Sequence, residues 1–184
     1  EFEQGGMQMV QMFSGRSPAT AEILKDAARR PAAITFDNAY TLDLGGVRVR
    51  FMVVGPTHTK GDTGFFVEGD NVLFAGDVVM NNSFLAATAV SSMKAWLAAF
   101  DTFEALKPQT IVPAHGAVGP GTIIGTNRSI MLGVQTRARA LKAEGRTADD
   151  TAKAVQAQFQ AQHREWPRAN GLAAAARSAY AEAQ

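Results

Sequence analysis

Gly55–Asp77, GPTHTKGDTGFFVEGDNVLFAGD, is the stretch whose reading decides the fold. A histidine stands in a Gly/Thr-rich loop, two short apolar runs follow, and a carboxylate comes directly after a glycine. His58 follows the run Val47–Val54, and Asp77 follows Asn71–Ala75. Further on, Thr110–Val112 leads through Pro113-Ala114 to His115. Taken singly, a histidine after a strand reads as a turn residue. Three ligand-type side chains in one strand-end setting read differently. Strand ends hold side chains rigidly and leave coordination space open, as a catalytic metal site requires. Imidazoles and a carboxylate suit zinc, and also iron or manganese.

Working outward, the runs define a sheet. Tyr40–Leu44 and Val47–Val54 flank Gly45-Gly46 and alternate in polarity, which predicts a hairpin. Arg48 and Arg50 fall opposite Val47, Val49 and Phe51 and read as the solvated edge of a sheet. Thr63–Val67 and Asn71–Ala75 form a second hairpin around Gly69-Asp70. Their near-continuous apolar character predicts cover on both faces. Ser92–Leu106 places Met93, Trp96, Leu97, Phe100 and Phe103 at helical spacing, a stripe for packing on the sheet. Between them, Val78–Val90 reads as a long loop near the site. Its Phe84 and Leu85 either line a substrate cleft or lie on a plain surface loop.

The order of these pieces resembles the second half of the metallo-β-lactamase superfamily of metal-dependent hydrolases. There a strand leads into H-x-x-G-D-T, a hairpin ends in L-F-x-G-D, and after a helix a strand ends in P-x-H-G. Here the matching residues are His58-Thr59-Lys60-Gly61-Asp62-Thr63, Leu73-Phe74-Ala75-Gly76-Asp77 and Pro113-Ala114-His115-Gly116. The resemblance spans roughly residues 30 to 130 and implies an α/β fold: half of the αβ/βα sandwich, a mixed sheet with outer helices. It implies metal ligation by His58, Asp77 and His115. His58 would serve a first zinc, His115 a second, and Asp77 would bridge them as the catalytic carboxylate. Asp62 and Thr63 would stay outside direct ligation. The implied chemistry is metal-assisted hydrolysis of an ester, thioester, lactone, amide or phosphodiester. Asp at 77, where one large β-lactamase subgroup carries Cys, is closer to the thioesterase and lactonase branches.

The superfamily's first-half signature, H-x-H-x-D-H, is absent. The third and last histidine is His163, in a helical tail, and reads as an ordinary surface residue. The resemblance therefore implies a truncated domain, inactive by itself. Three ligands shared by two ions leave neither with the three protein ligands of a catalytic zinc. The inner face of its sheet would need the missing N-terminal half or a second copy as cover. The alternative is a non-catalytic half-domain or interaction module that has lost the metal site.

Composition bounds the rest. A length of 184 residues with 46% hydrophobic content suffices for a sizeable core. A net charge of +1 gives no sign of a nucleic-acid partner. No run approaches a membrane span of about 20 apolar residues. The partner that the resemblance implies is a small-molecule substrate. Absence of cysteine excludes disulfides and thiolate ligands. The chain begins at Glu1 instead of Met, which leaves the compartment open.

The flanks read as helical. Glu1–Gly6 is a frayed lead-in, and Met7–Phe13 belongs to a connecting helix. Ser17-Pro18 starts a helix that Pro31 stops after Arg30. Ala33–Phe36 is a candidate short strand. Residues 1–121 are assigned to the half-domain and 122–184 to a helical extension packed on it. The extension's helices fall at 122–144, 147–162 and 172–183, with Gly145 as a C-cap and Thr147–Asp150 resembling a capping box.

Overall fold

The computed structural model describes residues 2–28 and 30–183. They fall into two compact units, 1–37 and 38–184. The division lies at 37/38, and the helices after residue 121 share one hydrophobic core with the sheet.

The first unit is two helices, Phe2–Ser14 (α1) and Pro18–Leu24 (α2). Helix α1 runs through the stretch expected to fray; Glu1 lies outside the described residues. Ser17 caps α2 reciprocally with Thr20, and Pro18 occupies the first turn. The expected helix to Arg30 stops at Leu24. It buries no side chain, so nothing but propensity would hold a further turn. Ala33–Phe36 forms no strand.

The second unit is built on a six-stranded mixed sheet in sequence order. Ala39–Asp43 (β1), Arg48–Val53 (β2), Thr63–Val67 (β3) and Val72–Gly76 (β4) pair antiparallel. Thr110–Pro113 (β5) pairs parallel with β4. Gly119–Pro120 (β6), which the sequence did not suggest, closes the edge antiparallel to β5. Arg48 and Arg50 are not at a sheet edge. Their strand lies between β1 and β3, and both reach Glu68, at 3.3 and 4.0 Å.

Period-two alternation sends Met52, Phe66, Leu73 and Ala75 to one face, where they are buried together with Ile111. Met93–Ala105 (α3) covers that face through Met93, Trp96, Ala99, Phe100 and Phe103. Ser92 caps it, accepting from Ala95 N–H at 3.1 Å. Gly64 leaves the space that Phe103 fills: a Cβ there would lie 2.6 Å from the ring. The opposite face carries Tyr40, Phe51 and Phe65 as a ladder of ring contacts, at 6.0 and 4.9 Å between centroids. Phe65 and Phe74 on that face remain 37% and 42% exposed. The first face is covered by α3, whereas Phe65 and Phe74 on the second stay partly open.

Ile123–Ala143 (α4), Ala148–Gln162 (α5) and Asn170–Glu182 (α6) complete the unit. Gly145 at φ 79 ends α4 with a paired cap: its own N–H donates to Lys142 O and that of Arg146 to Leu141 O. Thr147 accepts from Asp150 N–H to start α5. Helix α6 offers small residues, Ala175, Ala176 and Ala179, and these allow close approach instead of supplying bulk. Its Glu182 accepts from Ser92 Oγ (2.7 Å) and Lys94 N–H (3.0 Å), tying the tail to the start of α3.

Gly64→Ala should destabilise the chain by about 1–3 kcal/mol through overpacking against Phe103. Gly125→Ala, where a Cβ meets nothing within 4 Å, should be neutral or gain a few tenths of a kcal/mol. Urea denaturation of the two variants checks the pair.

Candidate functional site

Parallel strands end together. Because β4 and β5 run side by side, the residues just beyond them become neighbours. Gly76 pairs with Pro113, and Ala114 N–H donates to Gly76 O at 3.0 Å. Asp77 and His115 thus face each other, with His115 Nε2 3.4 Å from Asp77 Oδ1. Both side chains stay partly exposed, so a ligand can reach them. The loop carrying His115 is fixed from behind. His115 O accepts from Asn81 N–H at 3.1 Å, and Ala117 O accepts from Asn81 Nδ2 at 2.9 Å. Gly116, at φ 91, backs onto Asn81 O, where a Cβ would come within 2.0 Å.

His58 is held by a different device. The Asp62 carboxylate accepts from the Thr57 hydroxyl, His58 N–H (2.6 Å), Thr59 N–H (3.0 Å) and Thr59 Oγ1 (2.6 Å). This network winds the loop tightly, and Gly55 is needed where the chain passes: a Cβ there would lie 2.3 Å from Lys60 O. The His58 ring turns Nδ1 to Ala86 O at 2.5 Å, and Thr88 Oγ1 donates to His58 O at 2.9 Å. Asp77 and His115 are brought together, whereas His58 is anchored to the segment 86–88. No group of three or more His, Asp or Glu among the described residues is gathered closely enough to hold one ion.

The side chains nonetheless fit a metal in their chemistry. With Nδ1–H given to Ala86 O, His58 keeps a free lone pair on Nε2, the arrangement that orients a ligating imidazole. Asp77 and the Nε2 of His115 point at one another from rigid strand ends.

Phe84 and Leu85 in the connection 78–90 lie in the core, on neither a cleft wall nor a plain surface loop. Phe84 is fully buried, Leu85 nearly so, and Val78, Val79 and Met80 join the core. Val78 O accepts from Trp96 Nε1 at 2.9 Å. Asn127, buried on α4, both accepts from Met80 N–H (3.1 Å) and donates to Met80 O (2.8 Å). His163 is likewise not an ordinary surface residue. Half-buried at the end of α5, it stacks on Trp166 at 4.3 Å and meets Phe84 edge-on at 5.9 Å. Beyond Trp166, Arg168 reaches the site itself, its Nη2 2.8 Å from His115 Nδ1. In the sequence this segment falls between the helices expected at 147–162 and 172–183 and carries no sign of the contact.

The family model of the metallo-beta-lactamase superfamily matches residues 2–115. The chain belongs to this superfamily. Among solved structures, a metallo-beta-lactamase family protein from Thermus thermophilus is similar over 97% of this chain and 58% of its own. Its identity is 20% and its TM-score 0.58. A stereoselective inverting sec-alkylsulfatase from a Pseudomonas species matches 82% of this chain and 26% of its own, at 18% identity and TM-score 0.58. A metallo-beta-lactamase from Pontibacter korlensis matches 67% of this chain and 61% of its own, at 26% identity and TM-score 0.49. The chain thus spans about three fifths of the two metallo-beta-lactamase relatives, and less of the sulfatase. No curated protein matches it. The mixed α/β sheet with outer helices is the superfamily's fold.

Asp62→Ala should loosen the His58 loop and cost about 2–3 kcal/mol, because it strands the hydroxyl of the fully buried Thr57 along with two backbone donors. Urea denaturation measures the loss, and amide exchange should rise first at residues 57–62.

Proposed function

We propose that this chain is the C-terminal portion of a metal-dependent hydrolase acting on an ester, thioester, lactone or amide bond. His58, Asp77 and His115 are its share of the ligands. The observation that carries this reading is the meeting of Asp77 and His115 at the ends of two adjacent parallel strands. Zinc is the first metal to test, with iron and manganese as alternatives suited to the same donors. When bound, such an ion would supply Lewis acidity toward water and the scissile carbonyl. The chain's own residues do the positioning. Asp62 fixes the loop of His58, and Ala86 O sets its ring. Asp77 would offer its carboxylate to the metal from the end of β4. Because each ion would find at most two ligands here, the chain alone should bind zinc weakly and hydrolyse nothing efficiently. The exposed face of Phe65 and Phe74 would receive the N-terminal half of the enzyme or a second copy. No described helix is long and apolar enough to cross a membrane.

A second reading has its own observation. The half-exposed Phe65 and Phe74 suit a partner surface, which favours an interaction module without catalysis. The two readings separate in the complete protein. Under the first, Asp77→Ala lowers steady-state hydrolysis of a generic ester or lactone by several orders of magnitude and reduces bound metal measured on the same samples. His163→Ala should mainly lower stability, by about 1–3 kcal/mol, through loss of stacking on Trp166 and Phe84, with a far smaller change in turnover than Asp77→Ala. Full activity in Asp77→Ala contradicts the assignment, and absence of hydrolysis and metal from the unaltered protein supports the module.

A further inference from the structure

Arg168 lies outside the ligand set, yet it holds one of its members. It sits in the connection between α5 and α6, and both sides of it are pinned. Pro167 O accepts from Phe84 N–H at 3.2 Å, and Arg168 O accepts from Gly171 N–H at 3.0 Å. Trp166 packs on His163, at 4.3 Å, and on Phe84, at 5.4 Å, in a cluster of three mutually touching rings. Gly171 presses the start of α6 onto Leu85 O, where a Cβ would come within 2.5 Å. Arg168 itself is at φ 68, a conformation that a non-glycine residue keeps only when its surroundings impose it. The backbone thus aims the guanidinium at His115 from a fixed anchor.

A guanidinium can only donate. Nη2 lies 2.8 Å from His115 Nδ1, so Nδ1 is the acceptor. A neutral ring whose Nδ1 accepts carries its proton on Nε2, the nitrogen that faces Asp77 Oδ1 at 3.4 Å. Coordination through Nε2 needs the lone pair that this proton occupies. Moving the proton to Nδ1 would set N–H against N–H across the arginine contact. His58 shows the opposite arrangement, with Nδ1 on a carbonyl and Nε2 open. One histidine is set to ligate, and the other is held in the tautomer that cannot.

We propose that Arg168 is a latch on the metal position of Asp77 and His115. Its hydrogen bond to His115 Nδ1 and metal coordination by His115 Nε2 exclude each other, so Arg168 must release the ring before that position loads. Arg168 is a positioning residue that acts through His115, and the inference rests on the ligand assignment proposed above. The latch also couples the tail to the site, since whatever shifts the Trp166–Arg168 strap changes the metal affinity of a residue 53 positions away in sequence.

The test is a zinc titration of the full chain, followed by the ring nitrogen and carbon-bound proton signals of its three histidines in NMR. Wild type is compared with Arg168→Leu and with Arg168→Gly, the latter suiting the positive φ. Metal-free wild type should show His115 protonated on Nε2 and bare on Nδ1. Both variants should bring the zinc midpoint at His115 about tenfold lower, within the range by which groups behind a ligand tune affinity. The midpoint at His58 should stay unchanged. A wild-type His115 bare on Nε2, or a zinc midpoint at His115 equal or higher in both variants, overturns the latch alone. No zinc response at either His58 or His115 in any of the three proteins overturns the ligand assignment and the latch with it.

Discussion

The parallel pairing of β4 with β5 is the constraint on which the rest of the second unit depends. Two parallel neighbours cannot be joined by a tight turn; the chain must cross from the end of one to the start of the other. Here the crossing is residues 77–109, and it supplies most of what covers the sheet. Val78 to Leu85 contribute buried side chains, and α3 then lies over Gly64 with Phe103. The same pairing forces Asp77 and His115 to emerge side by side at one end of the sheet. Packing and site therefore have one origin. A change that slips β5 against β4 would uncouple the two side chains as well as open the core.

The 84–87 segment extends that logic to the flanking pieces. Phe84 is buried beneath Trp166 and His163, its N–H holds Pro167, and Ala86 O holds the ring of His58. His58 and the Arg168 strap thus rest on opposite ends of one short, buried stretch. The tail helices bring more than cover: α6 caps α3 through Glu182, and the connection before it delivers a guanidinium to His115.

Much of this was legible in the sequence, for local reasons. Alternation located β1 and β2, and short apolar runs located β3 to β5, each within a residue or so. The stripe on α3 and the caps at Ser17, Gly145 and Thr147 are local in the same way. The setting of Asp77 and His115 followed from each coming directly after a strand. What escaped has no local signature. Phe84 and Leu85 sit in a stretch without periodicity, and their burial is decided by α6 and Trp166, far away in sequence. His163 stands among glutamines and alanines, which gives no hint of the stacked rings around it. Asn127 reads as an ordinary helix residue until its bonds to Met80 are seen. Arg168 acts through a contact that only the folded chain creates. The short strand β6 was missed because two residues, one of them proline, carry no strand pattern.

The central claim is that Asp77 and His115 hold a metal at the ends of β4 and β5. Anomalous diffraction at the zinc edge, from crystals of the complete protein grown with zinc, tests it most directly. An anomalous peak is expected about 2.0–2.2 Å from a carboxylate oxygen of Asp77 and from Nε2 of His115, with Arg168 turned away from Nδ1. Zinc bound only elsewhere on the protein, with the two side chains still facing each other unligated, would contradict it.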